Sequence, residues 1–565
     1  MNLQTKPFYL DDAASEWVQS TLDGMSQEEK IGQLFCVIYR EGTQQEVDEN
    51  HAVLSPGGCM YRAMPLGNAV KLSAMLRSRS RIPLLVAANL EKGGNGVAFE
   101  GTLFASPMEI AATGDKTMAE KLAIVCAREG KAAGVNWSFA PIIDLDKNFR
   151  NPITNTRTFG SDYKLVSTMG TSYIKTIQSA GIAASIKHFP GDGVDERDQH
   201  LLTSVNTCST KEWDATFGQV YTACIEADVM TCMIGHIMLP EYSKHFIPGM
   251  LDENIMPASL SPELLNGLLR GKLGFNGLIV TDATTMAGFT TTMPRRSAVP
   301  SAIAAGCDMF LFTRNLEEDY NFMKDGVRND IITDQRLDEA VTRILALKAA
   351  LGLHKEQEEL DFEVAKTIVG CAEHHIWARE CADNAITLVK EEKGVLPISI
   401  HGHRRVLFYP LESSGGVSQY TVKEGVCQSI ADRMRAEGME VTVFQPPQGN
   451  EGNAPPTTDV TENFDLIIYV ANLATKSNQT SVRIEWEQPM GANCPNYVND
   501  VPTIFVSVEN PYHLLDVPRV KTFINTYSSH NEALDALVDK LMGRSAFTGT
   551  SPVDAFCGKW DTHIC

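Results

Sequence analysis

Short, almost purely apolar runs alternate with longer amphipathic stretches along the first 350 residues. IGQLFCVIY from Ile31, PLLVAANL from Pro83, NWSFAPIID from Asn136, GIAASIKHF from Gly181, VMTCMIGH from Val229, GLIVTD from Gly277 and CDMFLF from Cys307 read as strands. Helical patterns such as TMAEKLAIVCAREGKAAG and ATFGQVYTACIEAD lie between them, which is the βα alternation of a parallel sheet. Seven or eight such units in roughly 300 residues suit a (β/α)8-type, TIM-like barrel better than an open sheet.

Past residue 350 the pattern changes. LGLHKEQEELDFEVAKT is charged and reads as a surface crossing, and a helix around Ala372 to Asn384 leads into ITLVKEEKGVLPI. Apolar runs then return at VLFYP, EVTVF, FDLIIYVA and TIFVSV, separated by the helical patterns SIADRMRAEG and NEALDALVDKLMG. The expected organisation is a catalytic barrel over 1–350, a linker and connecting helix over 351–384, and a second α/β sandwich domain over 385–565. GNEGNAPPTTD, residues 449–459, reads as a surface loop in that second domain.

Composition narrows the function classes. The 565 residues are 43% hydrophobic, enough for large buried cores in two to four ordinary domains or one barrel and a companion. Lys and Arg total 49 against 70 Asp and Glu, a formal charge of −21 that repels a phosphate backbone; with no basic run in the chain, no nucleic-acid partner is expected. The N-terminal stretch lacks a basic n-region and an apolar h-region, and no later apolar run reaches membrane-spanning length, so the expectation is a cytoplasmic protein with no membrane partner. Thirteen cysteines are scattered through apolar segments without metal-ligand or disulfide-like spacing and read as reduced, buried thiols.

Barrel active sites form where the C-terminal ends of the strands enter loops. The polar residues at those predicted ends are Asn89, Glu91, Asp144, Lys187, His188, His236 and Asp282. Any one of them is as readily a cap or a salt-bridge partner, and a doubly wound sheet also gathers ligands at strand ends; their joint occurrence favours a site.

The segment IKHFPGDGVDERDQH, residues 186–200, concentrates chemistry. Pro190, Gly191 and Gly193 break regular structure after His188, so His200 is expected on a mobile loop at the barrel rim. Asp198, two residues before His200, is placed for its carboxylate to accept the imidazole's second N–H, fixing the tautomer and raising basicity, which makes a competent general acid/base. A metal site built from His188, Asp192, Asp195, Asp198 and His200 is disfavoured, because the spacing is neither an EF-hand loop nor a helical HExxH; no metal and no cofactor are expected. Asp282 ends a fully apolar strand and precedes small residues, the place for a carboxylate nucleophile in glycosyl transfer, although a helix N-cap is the ordinary alternative. Gly93, Gly94 and Gly96 fit no phosphate-binding spacing and read as a turn, and His401 and His403 in IHGHRR read as solvent-facing.

With those residues in view the chain resembles the family-3 glycoside hydrolases, in their β-N-acetylglucosaminidase branch. MSQEEKIGQLF, FAPIIDL, NPITNTRTFGSD, IKHFPGDGVDERDQH and GLIVTDATTM look like the family's successive markers in the right order, covering nearly the whole barrel. The resemblance implies that Asp282 is the catalytic nucleophile and that His200 with Asp198 is the loop-borne acid/base dyad of that branch, whereas the β-glucosidase branch draws its acid from the second domain. It also implies that Arg157, Lys187 and His188 hold sugar hydroxyls and the acetamido end, with Asp144 close by. Asn89, Glu91, His236 and Met286, which closes the GLIVTDATTM marker, complete the expected substrate-binding set. Three departures stand out. The family's Asp-Gln-Glu-Gly-Gly is Asn89-Leu90-Glu91-Lys92-Gly93-Gly94 here, the histidine of its Pro-Gly-His-Gly is Asp192, and the small residue before the final histidine is Gln199.

The expected substrate is a small carbohydrate containing N-acetylglucosamine, and the expected activity a retaining exo-β-N-acetylglucosaminidase acting on cell-wall fragments or chitooligosaccharides. A phosphorylase using the same intermediate, a β-glucosidase, and a noncatalytic sugar-binding protein are the alternatives.

Overall fold

The computed structural model describes residues 2–413, 424–445, 454–474, 478, 483–487 and 491–564. Two compact units result: Met1–Phe104, Ala119–Thr154 and Tyr163–His374 form one, and Ala105–Met118, Asn155–Asp162 and His375–Cys565 the other.

The first unit is a (β/α)8-type barrel. Its strands are β1 (Phe35–Tyr39), β2 (Gly58–Tyr61), β3 (Leu85–Ala88), β4 (Trp137–Ser138), β5 (Ala183–Phe189), β6 (Thr231–Ile234), β7 (Leu278–Thr281) and β8 (Phe310–Leu311). They run parallel in the order β8-β1-β2-β3-β4-β5-β6-β7, and a Val280–Met309 bridge brings the two outer members together. Nearly every strand residue is buried, as expected where helices cover a parallel sheet and side chains fill its interior. The indole N–H of Trp137 on β4 donates to Thr231 Oγ1 on β6 at 2.9 Å, a polar pair inside this apolar packing.

Seven of these strands coincide with the apolar runs of the sequence. The eighth, β2, does not: it has four residues and begins on the second glycine of Ser55-Pro56-Gly57-Gly58, a run that reads locally as a turn. Helix Asp12–Asp23 is capped by Asp11, whose carboxylate accepts from Ala14 N, and packs on helix Asp334–Ala350. At the N-terminal end of the strands, Asp308 accepts from Arg270 at 2.7 Å and Arg336 at 2.6 Å, with Arg343 at 3.3 Å; the guanidinium groups more than offset burial and hold its carboxyl below the ordinary range.

The second unit is an open α/β sheet of six strands: β9 (Thr387–Lys390), β10 (Arg405–Glu412), β11 (Glu440–Val443), β12 (Leu466–Asn472), β13 (Thr503–Ser507) and β14 (Thr522–Asn525). The order is β9-β14-β13-β12-β10-β11, all parallel except β9. Alternation along each strand feeds two apolar layers. Val406, Phe408, Ile468, Val506 and Ile524 face the layer that helices Val426–Ala436 and Asn531–Leu541 cover. Leu407, Tyr409, Tyr469, Phe505 and Phe523 form the other, an aromatic ladder with ring centroids 4.4–5.9 Å apart. Of the expected 449–459 loop, residues 449–453 lie outside the described residues, and Thr457 already begins helix Thr457–Asn463. His401 is exposed, but His403 is half-buried, with Nδ1 accepting from Ser399 N.

Among the described residues no helix is long and apolar enough to cross a membrane. The described cysteines are free and buried, except for the half-buried Cys371 and Cys494.

Candidate active site

Four loops leaving the barrel strands converge around one carboxylate and three histidines. Asp144 follows β4, and both its oxygens are used: Oδ2 lies 2.7 Å from His188 Nδ1, while Oδ1 accepts the backbone N–H groups of His188 at 3.0 Å and Asp192 at 2.8 Å. His188 sits near the end of β5, its ring fixed by this buried partner, with Nε2 3.9 Å from Asp282 Oδ2. Beside it Lys187 is paired with Glu91, Nζ to Oε1 2.6 Å, and both are buried. Asn89, at the end of β3, is half-buried.

Asp282 is the first residue past β7 and is still laddered to β6 through its N–H and the Ile234 carbonyl at 2.8 Å. Its Oδ1 accepts from the N–H of Ala283 at 2.6 Å. Burial pushes the carboxyl up, but His188, His236 and His200 together pull it further the other way, and it is held below the ordinary aspartate value. The outcome is an ionised carboxylate at a strand end, as a nucleophile requires.

Asp198 and His200 form the pair that their spacing predicts: His200 Nδ1 is 2.7 Å from Asp198 Oδ1, and the same oxygen accepts the His200 N–H at 2.8 Å. The Asp198 side chain is fully buried, whereas that of His200 is 30% exposed. Among the described residues Nε2 has no partner, so with Nδ1 turned toward Asp198, Nε2 is the ring nitrogen left open.

The loop carrying this pair is hydrogen-bonded at both ends. Trp213 Nε1 donates to the Pro190 carbonyl at 2.8 Å and Asn206 Nδ2 to the Gly191 carbonyl at 3.0 Å. Gly191 (φ +115°) and Gly193 (φ +98°) serve close packing: a Cβ would lie 2.3 Å from the Phe217 ring and 2.0 Å from the Leu145 carbonyl. At the far end the carbonyls of His200 and Gln199 accept from Ala287 and Gly288, 3.0 and 3.1 Å, in the segment that follows Asp282. Within the turn the Gly191, Asp192 and Gly193 N–H groups and the Pro190, Gly191 and Gly193 carbonyls are hydrogen-bonded.

Other expected members take supporting places. His236 is fully buried, with Nδ1 2.9 Å from Ser259 Oγ and Nε2 3.1 Å from the Ala283 carbonyl; burial lowers its pKa, and it braces the backbone beside Asp282 with no ring nitrogen left for a ligand. Met286 is buried where helix Ala287–Thr290 begins. Arg157 lies in the Asn155–Asp162 segment, which folds with the second unit. Asp195 is occupied by Arg197 and by the N–H of Val205, and among the described residues no group of three or more His, Cys, Asp or Glu side chains is arranged for a metal ion. Asn151, Gln199 and Ser259 were not singled out as working residues by the sequence, because each acts through partners distant in the chain. A cavity of about 650 Å³ at the opposite end of the barrel, bordered by Arg77, Lys131 and Asn136, contains none of the candidates.

Residues 26–347 match the Glycosyl hydrolase family 3 N terminal domain. The chain belongs to glycosyl hydrolase family 3. This family-3 enzyme is 53% identical over 564 residues, 100% of both chains, to a β-N-acetylglucosaminidase/β-glucosidase of Cellulomonas fimi. It is 31% identical over 353 residues, 59% of this chain and 57% of the relative, to β-hexosaminidase A of Pseudoalteromonas piscicida. Among solved structures it is similar to the β-glucoside phosphorylase BglX, with 43% identity over 99% of each chain and a TM-score of 0.93. A family-3 β-N-acetylglucosaminidase from Paenibacillus sp. str. FPU-7 shares the fold, with a TM-score of 0.76 at 23% identity over 94% of this chain and 99% of that one.

Proposed function

We propose that this glycosidase removes terminal β-linked N-acetylglucosamine or glucose from short saccharides such as cell-wall fragments or chitooligosaccharides, with retention of configuration. The observation that carries the reading is His200: one ring nitrogen fixed on buried Asp198, the other unpartnered among the described residues, on a loop bound to the segment just after Asp282. In the first step an Asp282 oxygen attacks the anomeric carbon, the glycosidic C–O bond breaks, and the proton on His200 Nε2 passes to the leaving oxygen. In the second, the neutral imidazole takes a proton from the incoming acceptor as the acceptor's oxygen displaces Asp282. Lys187 with Glu91, and His188 oriented by Asp144, hold hydroxyls of the bound sugar, and Arg157 is assigned to the acetamido end by the family resemblance.

Water and phosphate are both candidate acceptors. Phosphate is favoured by the 43% identity over nearly the whole chain to a β-glucoside phosphorylase. It is also favoured by the chemistry of the base: a deprotonated imidazole is neutral and does not repel an anion as a carboxylate does. The dual name of the Cellulomonas fimi relative supports a pocket that accepts both sugars.

The test is turnover of aryl β-N-acetylglucosaminide and aryl β-glucoside by the wild type, His200→Ala and Asp282→Ala, with and without phosphate. Loss in both variants supports the assignment, and a sugar phosphate product identifies the acceptor. Full activity of His200→Ala on a leaving group that needs protonation refutes it.

A further inference from the structure

The acid/base loop contains a second hydrogen-bonded chain that the steps above do not use. Asp192 is buried, its N–H on Asp144 Oδ1. Its Oδ1 accepts from Gly193 N at 2.7 Å and Asn151 Nδ2 at 3.0 Å, and its Oδ2 accepts from Gln199 Nε2 at 3.3 Å. The buried Gln199 amide then uses its oxygen to accept the N–H of His236 at 2.8 Å, at the end of β6. Gln199 lies between the two members of the dyad in sequence. A continuous path therefore runs from the carboxylate that orients His188, across the loop, to the strand end that braces Asp282.

We infer that Asp192 and Gln199 are positioning residues, a latch that sets where His200 Nε2 stands relative to the bond being broken. The inference rests on the reading of His200 as the acid. The path has a direction: the backbone N–H of His236 can only donate, so the Gln199 oxygen must face it, which turns the amide nitrogen toward Asp192, where Oδ2 accepts. Burial and then Asp144 push the Asp192 carboxyl up to about 7, opposed by His188 and by the hydrogen bonds from Gly193 and Asn151. The donors gathered on this side chain thus compensate a charge that its surroundings resist.

That polarity gives a test by exchange. In Asp192→Asn the new amide keeps its oxygen toward Gly193 and Asn151 and turns an N–H₂ toward the N–H₂ of Gln199, two donors face to face. Adding Gln199→Glu restores the match, because a carboxylate at that position accepts from both the amide introduced at position 192 and the His236 N–H.

The readout is kcat against leaving-group ability, from 2,4-dinitrophenyl to alkyl glycosides, together with the melting temperature. Asp192→Asn is expected to lose roughly 10- to 100-fold on the poorest leaving groups and less than about 3-fold on 2,4-dinitrophenyl, where little protonation is needed. The double variant should return to within about 5-fold of wild type on both, a coupling between neighbours that independent sites do not show. His200→Ala runs beside them. A flat leaving-group response in His200→Ala overturns the reading of His200 and the latch with it. A steep response there beside a flat one in Asp192→Asn, or a double variant no better than its worse single, overturns the latch alone. Should Asp192→Asn fail to fold, Gln199→Met, which removes both polar ends at similar size, carries the same comparison.

Discussion

Two histidine–carboxylate clusters in this chain look alike on paper and differ in what they leave open. In the barrel, His200 binds one carboxylate, Asp198, and remains 30% exposed. In the second unit, buried His530 has carboxylates on both ring nitrogens: Nδ1 is 3.1 Å from Glu532, and Nε2 is 3.2 and 3.3 Å from the two oxygens of Glu109. Burial alone would lower the His530 pKa, but Glu109 and Glu532 outweigh it and raise it to about 9, so it is a cation at neutral pH. A histidine with both nitrogens committed and a fixed charge holds structure together. A histidine with one oriented nitrogen and one open nitrogen can move a proton. The carboxylate partner does not separate the two; the uncommitted nitrogen does.

The comparison is broken most severely at the open cluster. His200→Ala is expected to reduce kcat/KM on alkyl glycosides by about 10²- to 10⁴-fold, the range of a lost general acid, while His530→Gln is expected to leave the same parameter within about 3-fold, since its carboxylate partners among the described residues are Glu109 and Glu532, neither of them a site residue. Equal losses in steady-state kinetics would erase the distinction. Asp198→Asn, which keeps shape but not charge, should cost about 10- to 100-fold, as expected of a group that orients a working histidine.

At the closed cluster the effect moves to stability. His530→Gln leaves Glu109 buried without its ion pair and is expected to cost about 3 kcal/mol in thermal or denaturant unfolding. Because the His530 pKa is raised on folding, its contribution is fully present below the unfolded value near about 6.5 and is lost as pH rises through about 9. The wild-type melting temperature should therefore fall between those pH values, and the variant should lack that part of the slope. Glu532, lowered to about 2 by His530 and its own hydrogen bonds despite burial, acts oppositely: its contribution is present above the unfolded carboxyl value and fades as pH drops toward 2. The smallest effect belongs to the cluster's exposed arm. His375, 2.7 Å from Glu532 with its side chain 46% exposed, should change stability by less than about 0.5 kcal/mol as His375→Ala.

The barrel was legible in the chain because parallel strands covered by helices on one side and a filled interior on the other are apolar throughout, so seven runs announce themselves. Strand β2 was not, since four residues starting at Gly58 carry no pattern that outweighs the turn before them. Asp198 and His200 were readable because partners two residues apart meet within one turn. Asp144, His188, Lys187 and Glu91 stand out in the sequence as strand-end residues and, through the family resemblance, as sugar-binding ones, but the pairing of Asp144 with His188 and of Lys187 with Glu91, across 44 and 96 positions, comes from the closed barrel. His236 stands at a strand end and so reads as facing a ligand, and nothing in the sequence points to Ser259 and the Ala283 carbonyl, which occupy its two nitrogens. The glycines of the Pro190–Gly193 turn suggested freedom, while their neighbours, Phe217 and Leu145, impose contact.

The proposed reaction runs through a covalent glycosyl-enzyme on Asp282 served by an open His200. The most direct test is mass spectrometry of the protein after incubation with a 2-deoxy-2-fluoro-β-glucosyl fluoride, whose good leaving group lets the first step proceed and whose fluorine slows the second. One added 2-fluoroglucosyl group is expected, mapped by proteolysis to the peptide containing Asp282, formed also in His200→Ala and absent from Asp282→Ala. A label on any other carboxylate, or unchanged labelling of Asp282→Ala, would contradict it.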